Sequence, residues 1–315
     1  MPSYISHAIM ASDLINEINR IDGFKTLINP NELRGYSLGA DMAFLSKRLK
    51  HDPQNYRTRD FFLSLINYIK DNNLVDNINI MALLYGHMAH YFLDINTHPL
   101  IYYLDYGSER VGMFANHDLI EGYLNSYLAK ERLGIDIMEV KASYFNGTNF
   151  NAKEVSKILN IIYGDIYGDS EIIISYRLVR DLFSFLELFI KSGIVSKDFL
   201  TWVSSFNQFL EKNDLTKEEI LNSCNGNFRN PVTGLYQKES FIELYHRSIE
   251  MCLDAIDEVN KCLYDGYSND RLLNVFKNLS YDTGVDCSLG KDFIYVRRKR
   301  NNNLVLKKTP NSGRN

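Results

Sequence analysis

An all-α fold is the reading of this 315-residue sequence, and three observations predict it. Apolar residues recur at three-and-four intervals along most of the chain, capping residues precede several of these stretches, and only 6 prolines and 18 glycines interrupt them. With 45% hydrophobic residues a sizeable core can form, which excludes collagen-like, mucin-like and globally disordered classes. The net charge of −4, from 35 basic and 39 acidic residues, supplies no basic field for duplex nucleic acid.

The elements follow in chain order. Ser6 to Asn19 sets Ile9, Leu14, Ile15 and Ile18 on one side, and Thr58 to Asp71 does the same with Phe61, Phe62, Leu65, Ile66 and Ile69. The same period predicts helices over 78–93, 117–128, 152–163, 170–190, 197–210, 216–223, 238–263 and 270–279. Thr216 before Lys217, Glu218 and Glu219, and Asn151 three residues before Glu154, read as helix starts, because a cap oxygen and early acids satisfy free N–H groups. A loop at 144–151 separates a metal-binding helical region over 1–143 from a helical second half over 152–285 packed on it, and a second loop at 222–234 interrupts that second half. Residues 290–315 read as a basic tail or a small C-terminal β-hairpin, since Phe293, Tyr295 and Arg297 alternate with Ile294, Val296 and Arg298.

Cys224, Cys252, Cys262 and Cys287 form no CxxC pair in a chain too large to need staples, so four reduced thiols are expected. No apolar run approaches the roughly 18 residues needed for a transmembrane segment. His7, Asp13 and Glu17 break the start where a signal peptide needs continuous apolar residues, and the expected location is cytoplasmic.

Histidine placement carries the chemistry. Six of seven histidines, His7, His51, His87, His90, His98 and His117, precede residue 118. His90, Asp94 and His98 are each four apart in a segment apolar enough to be buried, and His117 and Glu121 repeat the interval. Positions i and i+4 share one helix face within roughly 6 Å, so each pair can grip one ion from a single side. A lone imidazole in a helix is more often a core residue, but an inward carboxylate costs several kcal/mol without a cation, and a metal supplies one. Two other readings use the same residues. His51-Asp52 and His117-Asp118 are the dipeptides of HD-type metal phosphohydrolases, with His90 and Asp165 available to complete such a set; alternatively the cluster is a structural zinc site in a non-catalytic helical protein.

His7, LGADMAF (Leu38 to Phe44), His51, GHMAHYFLDINTHP (Gly86 to Pro99) and NHDLIEGYL (Asn116 to Leu124) together resemble, in content and order, the zinc-dependent phospholipase C family. That family is all-helical and similar in fold to the single-strand-specific fungal nucleases, so the resemblance implies a phospholipase C/nuclease-like bundle with extra C-terminal helices. By position it implies one zinc site from Asp41, His51, His90 and Asp94 and a second from His98, His117 and Glu121. Asp94 would bridge to a third ion held with His7 and the amino end. Secreted members use an N-terminal tryptophan as chelator there, whereas this chain begins Met1-Pro2 and its one tryptophan is Trp202. His87 reads as a core or supporting residue. About two to three zinc ions would then present hydroxide to phosphorus, with Asp41 as ligand or as the catalytic group that orients the nucleophile. The expected substrate is a small phosphate ester or phospholipid; single-stranded nucleic acid is less favoured. The aromatics Tyr91, Tyr102, Tyr103, Tyr106, Phe114 and Tyr123 read as packing.

Overall fold

The computed structural model describes residues 3–21, 28–41, 49–105, 110–111, 114–140, 152–168 and 195–297. Its axis is a long central helix, α4 (Ile78–Leu104), buried almost all round as its nearly uninterrupted apolar sequence requires. Asn77 starts it, accepting from the backbone of Asn79 and Ile80. The periodic pattern predicts an end at Leu93, but the helix runs eleven residues further, through Pro99. A proline costs an interior helix about 3 kcal/mol because it withholds the N–H owed to the carbonyl four residues back. The burial of Asn96, Thr97, His98, Leu100 and Ile101 outweighs that loss.

Around α4 pack α1 (Ser3–Ile18), α2 (Pro30–Tyr36), α3 (Thr58–Asp71) and α5 (Asn116–Leu128). Helix α2 has no counterpart in the periodic reading, being only seven residues long. Its start is nonetheless chemical: the Asn29 side chain accepts from Asn31 and Glu32, and Pro30 occupies the first turn. Gly86 lets α2 approach α4 closely, since a Cβ there would lie 2.7 Å from the Tyr36 carbonyl carbon. Phe61 and Phe62 of α3 fill the core, Phe62 stacking on Phe276 at 4.5 Å.

The second half contributes α6 (Ala152–Tyr167), α7 (Val195–Asn213), α8 (Lys217–Leu221), α9 (Phe241–Tyr264) and the short α10 (Leu272–Val275). The expected capping of α8 is present, Thr216 accepting from Glu219, and Ser240 and Glu243 form the reciprocal box that opens α9. Helix α9 lies along α4. The helix expected over 170–190 falls outside the described residues. The β structure among the described residues is two antiparallel pairs, β1 (Arg110–Val111) with β2 (Phe114–Ala115) and β3 (Phe228–Arg229) with β4 (Tyr236–Gln237), and one isolated antiparallel bridge between Leu279 and Asp286. The second pair lies at the end of the loop zone over 222–234 and is closed by the Asn230 side chain, which accepts from Val232 and Thr233, and by Gly234 at φ +73°. Residues 291–297 carry no strand, and the rest of the expected C-terminal hairpin lies outside the described residues. All four cysteines are free.

Candidate metal centre

Three helices and two turns converge on one side of α4. His90, Asp94 and His98 project from it in a line, as their four-residue spacing dictates. His7 reaches them from the first turns of α1, and His117 and Glu121 from α5. The His7 Nε2 lies 3.3 Å from Asp94 Oδ1, and His90 Nε2 lies 3.0 Å from Asp94 Oδ2 and 3.6 Å from Asp41 Oδ1. His98 Nε2 is 3.8 Å from Asp94 Oδ1 and 3.3 Å from Glu121 Oε1, which also sits 2.9 Å from His117 Nε2. Two compact groups result, His7 with His90 and Asp94, and His98 with His117 and Glu121, each with ligand atoms within 4.8 Å of one another. The Oδ1 of Asp94 faces both.

Backbone carbonyls orient the rings. His90 Nδ1 donates to Ser37 O and His98 Nδ1 to Tyr281 O, each at 3.0 Å. A carbonyl only accepts, so both rings carry their proton on Nδ1 and turn the Nε2 lone pair toward carboxylate oxygens. Lone pair against lone pair in a buried site is unfavourable unless a cation or an added proton stands between them. His90 Nε2 is indeed buried without a hydrogen-bond partner. All the donors are nitrogen and oxygen, a set that suits zinc, with no cysteine among them.

The electrostatics agree. Burial lowers the basicity of His98, but Asp94 and Glu121 outweigh it and lift its pKa to about 10. His90 and His117 are likewise raised, burial being overcome by Asp94 and Asp41 for the first and by Glu121 for the second. Burial opposes ionisation of Asp94 and Glu121, yet the imidazoles around them hold both carboxyls well below their usual range. Asp41 goes the other way: burial pushes it up against the pull of His90, with Asp94 adding to the rise.

The turn over 37–41 owes its path to Gly39, at φ +50°, where a Cβ would lie 2.5 Å from His90 Cγ. Asp41 follows and accepts from Gln54 Nε2 at 2.6 Å. Gln54 O in turn accepts from Tyr281 N at 2.9 Å. Tyr281 belongs to a tight loop over 279–287 that docks on the proline break in α4. Gly284, at φ +65°, presses there so closely that a Cβ would lie 2.3 Å from Ile95 O, the carbonyl that Pro99 leaves without its N–H. The same loop brings Asp282, whose oxygens accept from Tyr102 at 3.2 Å, Asn55 at 2.9 Å and Lys291 at 2.5 Å. Asp41, Asp94, Glu121, Tyr4, Tyr102 and Asp282 are among the residues around a cavity of about 270 Å³.

His51 stands apart. It is exposed, with its ring stacked on Tyr56 at 4.1 Å, and belongs to neither group; hydration and the stack satisfy it where it lies. His87 packs in the core against Phe61, donates to Leu83 O at 3.0 Å and is driven by burial down to a pKa of about 3. The HD-type assignment meets two obstacles: Asp165 is exposed on α6, and Asp118 accepts from Ala115 N at 3.2 Å at the start of α5. The amino end expected beside His7 lies outside the described residues.

Gln54, Tyr281, Asp282 and Tyr4 belong to the site without a sequence signal. Tyr281 acts through its backbone carbonyl, Gln54 through an amide outside any periodic stretch, Asp282 lies more than 160 residues from Glu121, and Tyr4 looks like any helix-face aromatic. A family model described as zinc dependent phospholipase C matches residues 6–169, just over half the chain and a span that contains every candidate ligand. No curated protein and no solved structure matches.

Proposed function

The chain belongs to the zinc-dependent phospholipase C family, and from that premise we propose that it hydrolyses phosphate esters, phospholipids first among them, at the centre on α4. The observation that carries this reading is the pair of imidazoles, His90 and His98, that commit Nδ1 to a carbonyl and aim Nε2 into a nest of carboxylates. His7, His90 and Asp94, with Asp41 beside them, would hold one zinc; His98, His117 and Glu121 would hold another, with Asp94 shared. Zinc bound there would lower the pKa of water toward about 7 and neutralise phosphate oxygens.

The chain's own groups supply the rest. Asp41, held by Gln54 at the edge of the cavity, would take a proton from the attacking water. Burial together with nearby carboxylates pushes the Tyr4 and Tyr102 phenols up, so both stay protonated; Tyr4 would donate to a phosphate oxygen in the cavity, while the Tyr102 proton goes to Asp282. The cavity's mixed lining of acids and phenols accommodates a headgroup and leaves lipid chains outside.

Metal analysis of purified protein, followed by a screen of phosphomonoesters, phosphodiesters and phospholipids, tests the reading. About two to three zinc ions and activity lost on chelation are expected, with His90→Ala and Asp94→Asn inactive. A zinc-loaded protein that hydrolyses none of these substrates, and merely unfolds when chelated, would instead mark a structural zinc cluster.

A further inference from the structure

Four large apolar side chains stand in solvent at one place on the surface: Leu235 at 67% exposure, Tyr236 at 62%, Ile294 at 61% and Tyr295 at 37%. They come from two segments that the backbone ties together. Pro231 O accepts from both Ile294 N and Tyr295 N at 2.9 Å, and the Tyr295 ring lies over Gly234, where a Cβ would sit 3.0 Å from it. The second segment is anchored beyond the patch as well, Arg297 N donating to Tyr103 O at 2.8 Å and its guanidinium pairing with Glu219 at 2.7 Å. These side chains are therefore presented on fixed backbone.

We infer that this patch is a membrane-contacting rim through which the protein rests on an anionic phospholipid surface; the inference builds on the phospholipid reading of the site. Position supports it. Phe293, next to Ile294, stacks on Tyr102 at 4.5 Å, and Tyr102 lines the catalytic cavity. A headgroup drawn into the cavity would leave its acyl chains on this side. Composition supports it too, since paired tyrosines and aliphatic residues beside a cation are what an interfacial contact uses. Arg229 lies 4.5 Å from the Tyr236 ring centroid.

Charge selects the partner. The chain carries −4 overall, which repels an anionic surface, yet the sequence after Arg297 holds Arg298, Lys299, Arg300, Lys307, Lys308 and Arg314 and no acid. Each basic residue near an anionic bilayer contributes on the order of 1 kcal/mol, about fivefold in binding, and an apolar anchor plus a basic cluster is the two-signal combination that reversible docking needs.

Flotation of the full-length protein with vesicles of phosphatidylcholine, with and without phosphatidylserine, tests the rim beside hydrolysis of a water-soluble aryl phosphodiester. L235S/I294S should bind all vesicles at least tenfold more weakly and hydrolyse the soluble ester as before. R298Q/K299Q/R300Q should lose roughly 100-fold on the phosphatidylserine vesicles and little on the neutral ones. Wild-type protein that cleaves the soluble ester but ignores both vesicles overturns the rim, as does L235S/I294S binding undiminished. Conversion of a dimer to a monomer by L235S/I294S, read by sedimentation, would assign the patch to a second copy and also overturn it. Protein that floats with vesicles yet cleaves nothing leaves the rim standing and removes the catalytic reading alone.

Discussion

Gly39→Ala is the smallest change that should disable the centre without touching a ligand. Gly39 sits at φ +50°, where an alanine costs roughly 1–2 kcal/mol of backbone strain. Its Cβ would come within 2.5 Å of His90 Cγ, 2.6 Å of Cβ and 2.8 Å of Cδ2. Ordinary carbon contacts begin near about 3.5 Å, so ring and turn must part by roughly 1 Å. His90 cannot yield freely, because Nδ1 is held by Ser37 O in the same turn that would be pushed away. Losing that bond adds about 1 kcal/mol and releases the ring from the orientation that aims Nε2 at Asp94.

Stability should fall by about 2–3 kcal/mol, a drop in Tm of roughly 5 °C in a chain this long. Zinc affinity should fall about 10- to 100-fold, the range seen when the outer support of a metal-ligating histidine is removed. Competition with a chromophoric chelator measures the affinity, and thermal unfolding measures the stability. Gly266→Ala is the control: φ is +74° but nothing lies within 4 Å of its Cβ, so it carries the strain without the collision. It should lower Tm slightly and leave zinc binding as it was. If Gly39→Ala holds zinc as tightly as Gly266→Ala does, the Ser37 carbonyl does not fix His90 and the reasoning about ring orientation fails.

Further outcomes follow from the same contacts. His87 has a folded pKa of about 3 against an ordinary value of 6.5, so its contribution to stability is full above about pH 6.5 and is lost as pH falls toward 3. Replacing it with leucine should flatten that part of the curve, the wild-type minus variant difference changing by about 2 kcal/mol between pH 7 and 5; parallel denaturation curves would refute the assignment. Asp118→Ala should cost about 1 kcal/mol through the lost bond to Ala115 N and keep zinc, whereas Glu121→Gln should lose zinc from the second group; the reverse pattern in metal analysis would favour the HD-type set. Gly284→Ala should lower Tm by several degrees and reduce turnover, because a Cβ 2.3 Å from Ile95 O lifts the loop that holds His98; normal turnover would show that Tyr281 O is not needed.

The contrast between the two faces of the centre explains what could be read in advance. His90, Asp94 and His98 were legible because a helix converts a four-residue interval into a line in space, and because a buried acid among apolar residues needs a countercharge. The same logic found His117 with Glu121, and the resemblance added Asp41 and His7. It failed where geometry depends on contacts distant in sequence. The periodic pattern ends at Leu93 because Asp94, Asn96, Thr97 and His98 interrupt the apolar run, and only the surrounding elements, which bury these polar residues, carry the helix on and through Pro99. The continuation past Leu93 keeps His98 on the helix face with Asp94, and Pro99 frees the Ile95 carbonyl region on which Gly284 seats. The residues that aim the rings, Ser37 and Tyr281, act through carbonyl groups that every amino acid possesses, so no side-chain pattern could have marked them. His51 differs for a related reason: its place is not fixed by helical period, and its ring stacks on Tyr56 instead. The candidate ligands of α4 and α5 are thus written in helix spacing, whereas ring orientation is imposed by backbone carbonyls, that of His90 by Ser37 within the residues the family model matches and that of His98 by Tyr281 in a loop beyond them.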